Sequence, residues 1–391
     1  MRPLSRPALM LTALSAALFL VVTVPAVDAA ATYQPDWRKL ASHVVKVSLK
    51  LAPGERVIIH YDPARDPGLV AALRTEITRA GGIISGELTW PDEATGKYLE
   101  SLSPAERQKR GEAETAAYRQ LFSNSDVYLW LHAPASEDLV PREFEHLIGE
   151  SKVRAIHSHW FEPQDPVERD AVRRMYERAI EMDPAEIEAV LAPMETKLRG
   201  AKVHVTSPEG TDLTFQIPHD AWFHHNTGEA SRQKVATARS VRDREEELPA
   251  GVLRTTAVAD VEGRLVATVF TASKGDAVTV TFRNGRIVKV EPHGGAGNEF
   301  AKWYDGVTGD RDKVSELVIG VNPNLTPIQP SGFMPYYGYG AGVIRIAVGE
   351  NWESGGTLRT SDHQDWWLYV TDGTLTASGA KIVDRGALGE P

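Results

Sequence analysis

Three side chains in the last quarter of the chain have types and spacing suited to holding a cation. His363 and Asp365 form a His-x-Asp pair at the entry to an apolar run, Trp366–Val370. Residues two apart in a strand point to one face, so this spacing aims an imidazole and a carboxylate at the same point, with Gln364 turned away. That donor pair suits Zn, Mn, Co or Fe. Glu316 starts another apolar run, Leu317-Val-Ile319, followed by Gly320 and Asn322-Pro323. A carboxylate against such a strand is costly to bury unless paired or bound to a cation. Arg345 stands among Val343, Ile344, Ile346 and Ala347. If it points inward, it sets a fixed positive charge beside Glu316 and Asp365.

Other histidines compete. His157 and His159 end the fourth strand of the N-terminal half, where parallel sheets place ligand sites. His224 and His225 read as part of a solvated polar loop, and His293 as a turn residue before Gly294-Gly295. The charged run Arg239–Glu247 reads as a solvated loop or helix face. No Gly-x-Ser-x-Gly elbow, His-Glu-x-x-His helix or phosphate-binding glycine loop occurs.

The elements that must position these residues fall into two halves. From Trp37 to Met182, apolar β-branched strands (Glu55–Tyr61, Ile83–Leu88, Asp126–Leu131, Val153–Ile156) alternate with amphipathic helices. Strands apolar on both faces predict a parallel sheet covered by helices. Ser103 with Glu106 three residues on marks a helix start. A last helix from Asp183-Pro184, kinked at Pro193, ends at Gly200. The period then becomes alternating, with hairpins at Pro208-Glu-Gly210 and Asn284-Gly285. The fold class is thus an α/β domain with a parallel sheet, residues 31–199, then a β-rich, barrel-like domain, residues 200–391.

Residues 1–30 read as an export signal: two Arg in Met1–Arg6, an apolar run Ala8–Val24, and small residues at Val27-Asp28-Ala29. This predicts an exported, periplasmic or extracellular protein with no stable membrane insertion after cleavage. The chain has 391 residues and no Cys, which removes disulfides, thiolate metal sites and a Cys nucleophile. A net charge of -10 without a basic cluster argues against nucleic acid as a partner.

The order of these pieces resembles the aminopeptidase T family of metallopeptidases. The likeness starts at Gly54-Glu-Arg-Val-Ile-Ile59 and Ala80-Gly81-Gly82. It continues through Lys197–Val203, the Gly210-Thr-Asp-Leu-Thr-Phe215 run, Leu248-Pro-Ala-Gly251 and Val261-Glu-Gly263. It closes with Glu316, Asn322-Pro323 and Ser361-x-His363-x-Asp365. The resemblance implies removal of N-terminal residues from peptides, a β-rich domain with two metal ions, and a homodimer. It implies Glu316, His363 and Asp365 as metal ligands. Two family ligands differ: Val252 stands in place of a Glu, and Arg345 in place of a His. One Glu, one His and one Asp remain, enough for a single divalent ion (Zn, Co or Mn). Arg345 then takes a catalytic position, holding an oxyanion or replacing the second cation. Trp352, where the family has a Tyr, takes another. Tyr337, Tyr339 and Trp366 are the expected substrate-binding aromatics for a peptide or small molecule. Two alternatives stay open. One is a ring-cleaving dioxygenase with a single non-haem iron. The other is an inactive binding homologue in which Arg345 replaces metal chemistry.

Overall fold

A computed structural model of the protein describes residues 33–389 apart from 64, 66, 132–142, 164, 270–276 and 327–339. The signal segment and Tyr337 and Tyr339 lie outside the described residues. Tyr33–Pro391 forms one compact unit. No described helix is long and apolar enough to cross a membrane.

The first half alternates as its periodicity predicts. Helix α1 (Trp37–His43) runs on as a π-helical turn, Val44–Ser48. Then come β1 (Arg56–Tyr61), α2 (Pro67–Arg79), β2 (Ile83–Thr89), α3 (Glu93–Ser101), α4 (Pro104–Ser123), β3 (Val127–Leu131), α5 (Glu143–Glu150), β4 (Arg154–Ser158), α6 (Pro166–Ile180) and α7 (Pro184–Leu198). Ser103 and Glu106 close the expected capping box at the start of α4. Helix α3 was not legible: its polar sequence reads as a connection, and its start rests on the Asp92 cap, which accepts from the Thr95 amide. Helix α7 continues past Pro193 to Leu198.

The second half is β-rich: β5 (Lys202–Thr206), β6 (Asp212–Gln216), β7 (His224–Asn226), a short α8 (Arg232–Val235), β8 (Glu245–Leu248), β9 (Val252–Thr255), β10 (Ala259–Val269), β11 (Ala277–Arg283) and β12 (Arg286–His293). After α9 (Gly295–Gly306) follow β13 (Val314–Gly320), β14 (Ile344–Gly349), β15 (Asp365–Val370), β16 (Thr374–Ala377), β17 (Ala380–Asp384) and β18 (Ala387–Leu388). Asn284 and Gly285 both have positive φ, 51° and 72°, as a two-residue hairpin turn requires.

Two sheets result. The first has the order β2-β1-β3-β4-β8 and is parallel throughout. The second has thirteen described strands, antiparallel, curled as an open half-barrel. Strand β8 corrects the reading of the charged run Arg239–Glu247. Glu245, Glu246 and Glu247 are not on a solvated face: they form a buried strand beside β4, beyond the boundary expected near residue 200. Each carboxylate meets a partner from elsewhere, which is what permits burial. Glu245 takes Arg242 and His157 at 2.9 Å each. Glu246 takes Lys234 at 2.5 Å and the Gly228 amide at 2.9 Å. Glu247 takes Arg254 at 3.2 Å and Arg242 at 3.3 Å.

Candidate functional site

The second sheet carries one polar row across an otherwise apolar surface. Residues opposite one another on paired strands share a face. His224 of β7 pairs with Arg254 of β9, Arg254 with Val318 of β13, Val318 with Arg345 of β14, and Arg345 with Tyr369 of β15. Two residues along each strand, Val252, Glu316, Ala347 and Trp367 extend the same face. On β14 the opposite face is Ile344, Ile346 and Val348, all buried in the main apolar core. Arg345 therefore points where the alternation of its strand sends it, and it is 2% exposed.

The charges on this face are matched. Arg254 donates from Nη1 to Glu316 Oε2 at 2.7 Å and from Nη2 to Glu247 Oε2 at 3.2 Å. Arg254 and Glu316 are both buried. The Arg345 guanidinium lies 4.0 Å from the Trp367 ring centre and 5.4 Å from that of Tyr369. This is cation–π geometry, and Trp367 is also 5.5 Å from Arg254. Beyond Glu247, Arg242 reaches Glu245 and Glu353, and His159 Nε2 stands 3.7 Å from Glu247. Asp365 opens β15 on the same face. Burial pushes its carboxyl up to about 7, helped by Glu316 and Glu353 and opposed by Arg242 and Arg254. Glu145 of α5, half-buried near Glu353 and Glu245, is pushed well above the carboxylate range by desolvation and by those two carboxylates.

The sheet thus brings together Val252, Glu316, Arg345 and Asp365. It does not bring His363 to them. The expectation that His363 and Asp365 share a strand face is corrected, because the strand begins only at Asp365. His363 sits before it in a turn with φ 57°. Its side chain is 66% exposed, 3.3 Å from Glu350. Trp366, as the odd neighbour in β15, faces the other way. It packs on Phe300 and Trp303 of α9 at 5.6 and 5.8 Å, away from any substrate on the polar row. Trp352 leaves the face too: its ring stacks on His146 of α5 at 4.1 Å. What sequence reasoning missed is Arg254 and Glu247, one in a short strand and one inside a charged run.

The overall fold matches solved structures, two enzymes among them. AmpT, aminopeptidase T, from Thermus thermophilus superposes with a TM-score of 0.67 at 18% identity, covering 90% of this chain and 99% of that one. The fold is that of aminopeptidase T. A 2,5-dihydroxypyridine dioxygenase from Pseudomonas putida superposes with a TM-score of 0.63 at 16% identity, covering 91% and 97%. No family model matches the sequence, and no curated protein is similar to it by sequence.

The family resemblance raises the question of a metal ion, and among the described residues those expected to hold one do not fit it. Among the described residues no group of three His, Asp or Glu is placed to hold an ion. Glu316 already accepts from a buried guanidinium, Val252 offers no donor, and His363 faces outward. A dication at Glu316 would sit against Arg254 in a low-dielectric interior, where like charges repel strongly.

Proposed function

We propose that this protein binds peptide-like small molecules on the polar face of the second sheet, with arginines standing where the family resemblance places metal chemistry. The observation that carries the reading is Arg254, bonded to both Glu316 and Glu247 in a buried site. Its guanidinium holds the two carboxylates as a bound cation would, and no chelator removes it. Arg345 on Trp367 adds a second guanidinium in the same row. The peptide-like ligand class rests on the shared fold with aminopeptidase T. The export signal read from residues 1–30 makes the protein an exported one.

A second reading is an exported metal-dependent hydrolase that removes N-terminal residues. It rests on the fold shared with aminopeptidase T and on the Asp365 carboxyl, which burial, Glu316 and Glu353 push up to about 7. The two separate in one experiment. Purified protein is loaded with Zn, Mn, Co or Fe, dialysed and analysed for metal, then tested on aminoacyl anilides and dipeptides. Dipeptide binding is followed by calorimetry. The proposal expects no retained metal, no hydrolysis, and binding that Arg345→Met weakens. Retained metal and hydrolysis, both lost in Asp365→Ala, would establish the hydrolase instead. Retained iron with oxygen uptake would point to the dioxygenase-like alternative.

A further inference from the structure

Both histidines of β7 are enclosed, which corrects the reading of a solvated loop: His224 is 6% exposed and the His225 side chain 15%. Successive residues of a strand face opposite ways. His224 turns to Asp243 and Glu246 and belongs to the polar row. His225 turns away from that row, toward α7.

On α7, Glu188 and Glu195 each stand one residue past a member of the buried stripe, Ile187 and Met194. Seven residues apart, they lie two turns along one side of the helix, about 10 Å apart along its axis. The His225 ring sits between them. Its Nδ1 is 3.0 and 2.9 Å from the two carboxylate oxygens of Glu188, and its Nε2 is 2.6 Å from Glu195 Oε2. A neutral imidazole carries one N–H, and its other nitrogen is a lone pair. A lone pair set against a carboxylate at this distance repels it. Two carboxylates bonded at once require both ring nitrogens as donors, which is the imidazolium form.

We propose that His225 is a proton-operated latch, closed in acid, that holds helix α7 to strand β7 through Glu188 and Glu195. When the ring gives up its proton to solvent, one of the two N–H donors is lost, and an imidazole nitrogen and a carboxylate are left facing each other as acceptors. The other charges around the ring do not replace it. Arg199, past the end of α7, donates to Glu195 Oε1 at 2.6 Å and leaves Oε2 to the ring. Lys234 of α8 donates to the His225 carbonyl at 2.9 Å and to Glu246 at 2.5 Å. Lys50 and Glu229 pair with each other at 2.8 Å, and Asp183 caps α7 at the Ala185 amide. On β9, Leu253 stands opposite His225, and the charge of Arg254 belongs to the other face. The position gives the latch its consequence: α7 ends at Leu198 and the chain enters the second sheet at Lys202, so the latched helix is a connection between the two halves. The latch does not depend on what the polar row binds.

The test is hydrogen exchange of the α7 amides, residues 184–198, in the full chain at pH 5.5 and pH 9, with the intrinsic pH dependence of exchange divided out. Protection in the wild type should fall about two- to tenfold in alkali, the effect of one lost hydrogen bond. His225→Leu should show the lower protection at both pH values. Glu188→Gln, at a half-exposed position, keeps the test open if His225→Leu fails to fold. Its side-chain amide can donate to the deprotonated ring nitrogen, so the fall in alkali should shrink. Nitrogen NMR of the His225 ring in acid should find both nitrogens protonated. A single protonated nitrogen in acid, equal wild-type protection at the two pH values, or an undiminished fall in the folded variants would each overturn the proposal.

Discussion

On the second sheet, Arg254, Glu247 and Glu316 are buried as ions, each against an opposite charge. On the first sheet, His60 is buried as a neutral ring. It is 3% exposed, stacks on Trp90 at 3.9 Å, meets the edge of Phe144 at 4.8 Å, and shares a 2.7 Å hydrogen bond with the Tyr128 hydroxyl. Burial, aided by the nearby His157, pushes its pKa down to about 3. The difference is in what each region tolerates. A matched ion set fails when one member is removed, because the remaining charge has nowhere to go. A neutral buried base is indifferent to its neighbours' charges but fails when protons are plentiful.

The largest effect is expected where the ion set is broken. Arg254→Met takes from Glu316 the buried guanidinium it bonds and leaves Glu247 to Arg242, and should cost about 3–5 kcal/mol in urea unfolding. If the loss is below about 1 kcal/mol, the carboxylates are not held as ions by Arg254.

Next comes the acid limb of the first sheet. Above the ordinary His value of 6.5 both folded and unfolded chains carry His60 neutral. Below it the unfolded chain takes up a proton that the folded chain refuses until about pH 3. Stability is thus lost as pH falls through that window, by roughly 3 kcal/mol at a pH near 4. Comparing wild type with His60→Phe across this range isolates the term: the variant should lack it. Equal slopes for the two proteins would contradict a neutral buried His60.

A double change sharpens the contrast further. Adding Glu316→Gln to Arg254→Met removes the stranded charge, so the pair should recover about 1–2 kcal/mol relative to Arg254→Met alone. Simple additivity would show that Arg254 and Glu316 do not interact energetically.

The smallest effect is expected at His363. Its side chain is two-thirds exposed and pairs with Glu350, so His363→Ala should shift stability by less than about 0.5 kcal/mol. A larger loss, or one that appears only with metal present, would return His363 to the site.

Much of the fold was legible in the sequence because its causes are local. Strands apolar on both faces, the Ser103–Glu106 cap and the Asn284-Gly285 turn each act within a few residues, and each lies where periodicity put it. The inward direction of Arg345 follows from the same rule of alternation, once β14 is known to have one face in the core.

The site was less legible because its causes lie far apart in the chain. Glu245–Glu247 reads as a solvated run until His157, Lys234, Arg242 and Arg254 arrive from other elements to match each charge. His224 reads as a loop residue until β9 pairs with it. The His-x-Asp spacing promised a shared face, but only the packing of β15 against β14 set its first paired residue at Asp365 and left His363 in a turn. Sequence alone determined most of the elements, since propensity, capping and periodicity are short-range, but not α3 or β8. Whether a charge is buried, and against what, depended on partners in other elements, from Arg254 seven residues beyond Glu247 to His157 eighty-eight before Glu245, and only the tertiary structure could choose them.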